Sequence, residues 1–275
     1  MIPYYRLSLT CLLCTFMVAG PLCALGQPEA DDDHDLPAII RVCVDETGFP
    51  PFSYDLPENR GRVVGFNVDL LTMILDDAGL RAEYQMIPWR RCLAMAESGE
   101  VDVLLDVQDS AERQRLLLIP ASHYETRAAM LATARNRDLM QIITTKERLL
   151  ALDVCRMPGW DTSSVVPASE LIPAGEPHNL AAAVTMLRLG RCDLVIYTAE
   201  LFTGGLHSGA ITPDDVEGIN IYVVPWVQEK VPKFFGISRQ APAAQAIYNL
   251  LDSSIKELHA NGELARLLSL YLPSE

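Results

Sequence analysis

The first third of the chain alternates short apolar runs with apolar residues at helical spacing. Residues 39–44 (IIRVCV) predict a buried strand, and residues 66–79, which end on a glycine, predict a helix. Residues 82–86 predict a second strand, residues 88–99 a helix that opens on a proline, and residues 101–107 (VDVLLDV) a third strand. This β-α-β-α-β succession predicts an α/β fold with parallel strands.

The same succession recurs in the second half. Residues 153–157 predict a strand, residues 158–163 a loop that ends in helix-capping residue types, residues 179–189 a helix and residues 194–197 a strand. In both halves a helix is followed by a Gly, two further residues, an Asp and an apolar strand. The four residues between helix and strand are Gly-Glu-Val-Asp in the first half and Gly-Arg-Cys-Asp in the second. This similarity predicts two lobes of similar build, although glycine ends many unrelated helices.

The end of the chain adds two predicted strands, at 222–226 and 233–238, and two predicted helices, at 243–258 and 263–271. We expect the helices to pack back on the first lobe, so that the chain crosses twice between the lobes.

Composition narrows the class of protein. The 275 residues are 49% apolar and 21% charged, an ordinary globular mixture. The net charge of −14 argues against a nucleic-acid partner, because no basic stripe is present to replace phosphate counterions.

The N-terminal residues predict export. Residues 1–26 have a basic residue, an apolar stretch and a Gly-Pro break, the pattern of a cleaved signal peptide. We expect cleavage after Gly26, with cleavage after Ala24 or an uncleaved anchor as alternatives. Residues 27–36 then form an acidic, flexible leader, and no later apolar run has the length of a membrane span. The mature protein is therefore predicted to be exported and soluble.

No sequence motif indicates bond-making chemistry. The chain has no Gly-x-Ser-x-Gly, no phosphate-binding glycine loop and no His or Cys pair at metal-ligand spacing outside the signal. We therefore expect a non-enzymatic protein with no cofactor and no metal.

A ligand cleft is the other possibility, because open α/β sheets bind small molecules in the loops at the carboxyl ends of their strands. Those loops combine aromatic and polar side chains: Phe49, Phe52, Trp89, Asp106, Gln108, Trp160, Asp161, Thr162, Tyr197 and Thr198.

These segments resemble the extracytoplasmic solute-binding proteins of family 3, the polar amino acid type of ABC uptake systems. The resemblance is carried by VCVDETGFPPFSY, GFNVDLL, PWRRCLAMAESGEVDVLL, SAERQRLLLIPASHYE, LRLGRCDLVIY and KFFGIS…KELHANGELARLL, in the family's order. It implies a type II periplasmic binding protein fold, with two lobes joined by a two-stranded hinge around a ligand cleft. The expected division places residues 37–128 and 230–275 in lobe 1 and residues 129–229 in lobe 2.

The resemblance also implies roles for individual residues. Arg113 matches the arginine that binds the ligand's α-carboxylate, a role that suits the guanidinium fork. The alternative for Arg113 is a surface ion pair with Glu112. Phe49 and Phe52 match the loop that stacks on the ligand, and Trp89 matches an apolar wall, with core packing as the alternative for all three.

The sequence departs from the family pattern at the position that binds the α-ammonium group of the ligand. The position that usually offers an Asp is Thr198, and a hydroxyl cannot neutralise a buried ammonium. Asp106 and Gln108 replace small hydroxyl residues, and Asp161 and Glu200 are the candidates to compensate. A carboxylate or another polar solute therefore fits as well as a standard amino acid.

The cysteines allow disulfides once the signal is removed. Three of the seven lie in the signal, and four remain, at 43, 92, 155 and 192. Cys155 and Cys192 lie at or beside strands expected to be neighbours, which predicts a bridge between them. For Cys43 and Cys92 in the first lobe, two outcomes stay open: a bridge between them, or two buried thiols.

The leading hypothesis is a monomeric periplasmic receptor that delivers a small polar solute to a membrane ABC permease. One alternative is an enzyme on the same fold, similar to cyclohexadienyl dehydratase, with Asp106, Asp161 or Glu200 as its acid. Another is a sensory or accessory module that presents ligand to a membrane receptor.

Overall fold

The computed structural model describes residues 36–56 and 61–272. The predicted signal, and the predicted leader except Leu36, lie outside the described residues. No helix within these ranges has the length and apolar character needed to cross a membrane.

Strands and helices alternate along most of the described chain. The strands are β1 Ile39–Asp45, β2 Tyr54–Asp55, β3 Val63–Val64, β4 Arg81–Ile87, β5 Val103–Gln108, β6 Leu117–Leu118, β7 Tyr124–Thr126, β8 Ala128–Thr133, β9 Val154–Cys155, β10 Leu194–Thr198, β11 Ile219–Val223 and β12 Val231–Ser238. The helices are α1 Phe66–Asp77, α2 Trp89–Ser98, α3 Ala111–Leu116, α4 Arg137–Ile142, α5 Lys146–Leu150, α6 Leu180–Arg188, α7 Ala199–Ser208, α8 Ala244–Ala260 and α9 Glu263–Leu268.

The larger sheet has the strand order β4-β1-β5-β12-β6, and β7 also pairs with β12. Strand β1 runs parallel to β4 and β5, which confirms the parallel arrangement predicted for the first α/β unit. Strand β12 returns from the far end of the chain and pairs antiparallel with β5. The larger sheet is therefore mixed rather than purely parallel.

The smaller sheet has the order β11-β8-β10-β9. Its α/β unit pairs β10 parallel to β9, and β8 lies antiparallel between β10 and β11. The chain passes from the larger sheet to the smaller at Arg127, between β7 and β8, and returns between Val223 and Val231. Both sheets are flanked by helices, so the predicted α/β class is confirmed.

Several predicted elements have different limits in the structure. The strand predicted at 222–226 lies at Ile219–Val223, because Pro225 cannot donate a ladder hydrogen bond. The strand predicted at 153–157 is limited to Val154–Cys155. The helix-capping residue types at the end of the loop 158–163 are followed by a turn at residues 163–165, and the next described helix is α6, which is capped by the Asn179 side chain.

The core of the larger sheet is built on the apolar face of α1. The buried residues of that helix include Phe66, Leu70, Leu71, Ile74 and Leu75, at spacings of three and four residues that place them on one side. The two C-terminal helices contact α1, and α8 also contacts β12. The C-terminal helices therefore pack against the larger sheet and its helices.

Two disulfides link strands to neighbouring segments. Cys43 of β1 is bonded to Cys92 of α2, and their Cα atoms are 5.7 Å apart. Cys155 of β9 is bonded to Cys192, just before β10, with a Cα separation of 5.8 Å. The second bond has the pairing expected from the sequence, and β9 and β10 are indeed adjacent.

Candidate functional site

A cavity of about 100 Å³ lies between the two sheets. Thr126, Ala128 and Val231 line it, so both chain crossings border the cavity. For comparison, an engineered apolar cavity of about 150 Å³ is large enough to bind benzene. The cavity therefore has the volume of a short organic molecule.

Ten of the eleven residues predicted at the site line this cavity. They are Phe49, Trp89, Asp106, Gln108, Arg113, Trp160, Asp161, Thr162, Tyr197 and Thr198. Phe52 does not line the cavity, because its side chain is fully buried, which is the core packing given above as its alternative. Its ring is stacked on Tyr124 with 4.0 Å between centroids, so Phe52 packs in the core.

Aromatic side chains from both halves of the chain meet across the cavity. The ring centroids of Phe49 and Trp160 are 5.7 Å apart, and those of Trp160 and Tyr197 are 5.5 Å apart. The edge-on contact of Phe49 with Trp160 joins the loop after β1 to the loop after β9. Such pairs favour offset or edge-to-face geometry.

Arg113 brings a positive charge into the cavity from α3. The hydroxyl of Ser110 accepts a hydrogen bond of 3.2 Å from the backbone N–H of Arg113, which caps the helix start. The guanidinium carbon lies 5.3 Å from the centroid of the Trp89 ring. Burial lowers the pKa of Arg113, while the nearby Glu112 and Asp161 raise it. Its buried Nη1 has no hydrogen-bond partner among the described residues.

A β-bulge determines the position of Asp106. Along the β5–β12 ladder, Val107 pairs with Phe234 and Leu104 with Gly236, so two residues of β5 oppose one residue of β12. Asp106 has a φ of 59°, a left-handed conformation that Asp adopts more readily than most residues. The bulge places Asp106 on the cavity wall.

Three donors hold the Asp106 carboxyl group. Nδ2 of Asn67 donates at 2.7 Å and the hydroxyl of Tyr124 at 2.5 Å, both to Oδ1, and the hydroxyl of Ser53 donates to Oδ2. Burial raises the pKa of Asp106 to about 7, and this increase is opposed by the hydrogen bonds and by the charge of Lys233. Near neutral pH this carboxyl group is therefore partly protonated.

Lys233 is a second cation at the cavity, and the sequence did not identify it. It begins the apolar segment KFFGIS, is only 8% exposed and pairs with Gln108 in the β5–β12 ladder. Its Nζ donates to Oε1 of Gln108 at 3.2 Å and lies 5.4 Å from the centroid of the Phe49 ring. Burial lowers the pKa of Lys233 to about 8, so the group is mostly charged at pH 7.

The two-residue period of a strand assigns Lys233 to one face of β12, but only the β5–β12 pairing brings that residue to the cavity. Phe235 and Ile237 are fully buried, and the same period places Lys233 on their face of β12. Asp45 at the end of β1 and Ser164 in the loop after β9 also line the cavity and were not predicted. Both follow the rule that loops at strand ends form the site.

Glu200, expected to compensate for Thr198, lies outside the cavity. Its carboxylate accepts hydrogen bonds from the backbone N–H of Arg127 at 2.6 Å and from Nε of Arg127 at 2.8 Å. Asp161 does line the cavity, at its exposed rim, where Oδ1 accepts a hydrogen bond of 2.8 Å from the backbone N–H of Ser163. Of these two acids, only Asp161 faces the cavity.

Comparisons with known proteins bear on the family and the fold. A family model for bacterial extracellular solute-binding proteins, family 3, matches residues 40–274. Comparison with curated protein sequences gives no match.

Similar solved structures include three binding proteins. The substrate-binding protein of an amino acid ABC transporter has a TM-score of 0.68 and 16% identity, covering 86% of this chain and 100% of that chain. An ancestral arginine-binding protein bound to glutamine has a TM-score of 0.68 and 19% identity, covering 87% and 100%. An ancestral amino acid-binding protein described as a precursor of cyclohexadienyl dehydratase has a TM-score of 0.65 and 18% identity, covering 86% and 96%. At these identities the likeness shows the fold alone.

Proposed function

The chain belongs to family 3 of the bacterial extracellular solute-binding proteins, and from this premise we propose that it captures a small carboxylate-bearing solute between its two sheets. The solute is then delivered to an ABC-type permease in the inner membrane. In this proposal the protein is a periplasmic monomer without catalytic activity, and its net charge of −14 argues against a nucleic-acid partner.

The observation that carries this proposal is the guanidinium group of Arg113 with its buried nitrogen Nη1. A half-buried guanidinium whose Nη1 has no partner among the described residues is costly unless an anion binds it. Trp89 lies against the guanidinium, and Arg113 borders a cavity of molecular size. A carboxylate accepts two parallel hydrogen bonds from such a fork, which makes it the best-matched ligand group.

The proposed binding cycle is a hinge motion of two lobes. Lobe 1 is residues 37–128 with 230–275, and lobe 2 is residues 129–229. The two crossings between the sheets supply the hinge, and the Phe49–Trp160 contact joins the lobes in the closed form. Solute that touches both lobes selects that closed form over the open one.

A thermal-unfolding screen tests the proposal. The panel contains amino acids, because similar structures are described as amino acid-binding, together with organic acids and polyamines. At 100 times its dissociation constant a ligand adds about 2.7 kcal/mol, which for a chain of this size raises the unfolding midpoint by roughly 5–10 °C. We expect at least one carboxylate-bearing solute to do so, and to reduce the radius of gyration in small-angle scattering.

The matched variants are Arg113→Met and Arg115→Met. Both lie on α3, but Arg115 is exposed and does not line the cavity. Arg113→Met should abolish the ligand-induced shift, and Arg115→Met should retain it. The proposal fails if no solute stabilises the protein, or if both variants respond like the unmodified chain.

Asp106 favours a second candidate function. A carboxyl group with a pKa of about 7 that faces a ligand cavity is suited to donate a proton at neutral pH. This supports a dehydratase acting on cyclohexadienyl acids. Incubation with prephenate discriminates between the two, because a binding protein produces no phenylpyruvate above the spontaneous rate. A sensory role is distinguished by solute uptake that persists when the gene is deleted.

A further inference from the structure

The cavity is lined by two cationic side chains, Arg113 and Lys233, that keep hydrogen-bond donors without a partner among the described residues. Arg113 leaves Nη1 without a partner among the described residues. The Lys233 ammonium has three N–H donors, and the hydrogen bond identified for it within the described chain goes to Gln108. Lys233 is held on the rigid strand β12 and is nine-tenths buried, so water replaces few of the missing contacts.

The acceptors inside the cavity are already engaged. The Asp106 carboxyl accepts from Asn67, Tyr124 and Ser53, which uses three of its roughly four acceptor positions. Its negative charge is also close enough to Lys233 to raise the pKa of that ammonium. Oε1 of Gln108 accepts from Lys233 itself.

The other acids at the cavity are less enclosed than Asp106. Asp45 is half-buried at the end of β1, where burial raises the pKa of its carboxyl group and Oδ1 accepts a hydrogen bond of 3.1 Å from the backbone N–H of Thr47. Asp161 is exposed at the rim, where water screens its charge. Thr198 supplies only a hydroxyl group. An ammonium brought into the cavity would therefore lose its hydration with only the half-buried Asp45 and the exposed Asp161, among the described acids, left to pair with it.

From this imbalance we infer that the site selects short dicarboxylates without an amino group, with one carboxylate on Arg113 and the other on Lys233. The inference rests on the proposed function and deepens it by naming the solute class. Lys233, which donates to Gln108 and lies within the electrostatic reach of Asp106, then acts as the residue that determines specificity.

Isothermal titration calorimetry at pH 7 with matched pairs of ligands tests the inference. Succinate and aspartate differ by one ammonium, as do glutarate and glutamate, so each pair isolates the group in question. We expect each dicarboxylate to bind at least about tenfold more tightly than its amino counterpart. Equal binding, or tighter binding of the amino acids, overturns the inference.

Variants separate the role of Lys233 from a general charge effect. Lys233→Met keeps the apolar stem and should weaken succinate binding by about 10- to 100-fold, while butyrate binding stays the same. Lys230→Met removes an exposed lysine outside the cavity and should change neither. Circular dichroism melting checks that both variants are folded. If Lys233→Met does not fold, the ligand pairs measured on the unmodified protein still decide the inference.

The outcomes distinguish this inference from the proposed function. If amino acids bind through Arg113 and dicarboxylates do not, the dicarboxylate class is wrong while solute binding stands. If Lys233→Met leaves succinate binding unchanged, Lys233 does not determine specificity. If neither these acids nor any other solute of the panel binds, the proposed function fails together with the inference.

Discussion

The guanidinium carbon of Arg113 lies 5.3 Å from the centroid of the Trp89 ring. Trp89 begins α2 and Arg113 lies in α3, so the contact fixes the side chain of one helix against the start of another. An arginine that stacks on an indole keeps the in-plane edge of its donors free. Arg113 is therefore preorganised for a planar anion before any ligand arrives.

The first prediction concerns the shape of this cation. Arg113→Lys keeps the charge but replaces a planar fork with a point charge that stacks less well on Trp89. We expect the affinity for the tightest-binding carboxylate to fall by about 10- to 100-fold, measured by calorimetry. The same substitution at the exposed Arg115 should leave the affinity within about twofold of the unmodified protein. Retained affinity in Arg113→Lys would show that charge alone suffices.

The second prediction separates the charge of Asp106 from its structural role. Asn adopts positive φ as readily as Asp and keeps an acceptor for Asn67 and Tyr124, so Asp106→Asn should change the free energy of unfolding by less than about 1 kcal/mol. Asp106→Ala leaves those donors unpaired at a φ of 59°, and should cost about 2–4 kcal/mol. Urea unfolding measures both. Equal effects would contradict the hydrogen-bond account.

The third prediction concerns pH. Lys233, with a pKa lowered by burial to about 8, loses its charge as the pH rises through that value. Asp106, with a pKa raised by burial to about 7, gains a negative charge as the pH rises through neutrality. Both changes oppose an anionic ligand, so the affinity for a dicarboxylate should fall by at least about tenfold between pH 7 and 9.

The control for the pH profile is Lys233→Met. This variant lacks the ammonium, so its affinity should change less with pH above 8. Arg113 keeps its charge throughout this range and contributes no titration. A profile that is flat in the unmodified protein, or that rises with pH, would contradict the assignment of both groups to the binding site.

The fourth prediction concerns the disulfides. The bonds Cys155–Cys192 and Cys43–Cys92 span 37 and 49 residues. Loops of these lengths stabilise the fold by roughly 4 kcal/mol each in the chain-entropy account. Replacing both cysteines of either pair with Ala should lower the urea midpoint accordingly. Mass spectrometry of the unreduced protein should find none of these four thiols available for alkylation, and four free thiols would refute both bonds.

Hydrophobic patterning predicted the parts of the fold in which local sequence decides the structure. The helix after Gly65 and the strand that contains Cys43 have one apolar face or an apolar run, and both form as expected. The position of β11 was wrong by about three residues, because its apolar run extends past Val223 to a proline that the sheet cannot use. Strand limits depend on pairing partners that the sequence alone does not display.

Site residues could be predicted from the sequence where they follow the end of a strand. They could not be predicted where long-range strand pairing or packing decides which way the side chain faces. Trp160 and Thr198 lie in or beside loops that the α/β rule selects, and both line the cavity. Phe52 is in such a loop but packs inward on Tyr124. Lys233 lies on β12, a strand near the C-terminal end of the chain that belongs to the larger sheet. Its position at the cavity therefore depends on the β5–β12 pairing.

The most direct test of the central claim is a crystal structure of the protein with the tightest-binding solute of the panel. The account predicts electron density for that solute in the cavity between the sheets, with a carboxylate oxygen about 2.7–2.9 Å from the guanidinium nitrogens of Arg113. Density for the solute elsewhere on the protein, or in the cavity with no carboxylate on Arg113, would contradict it.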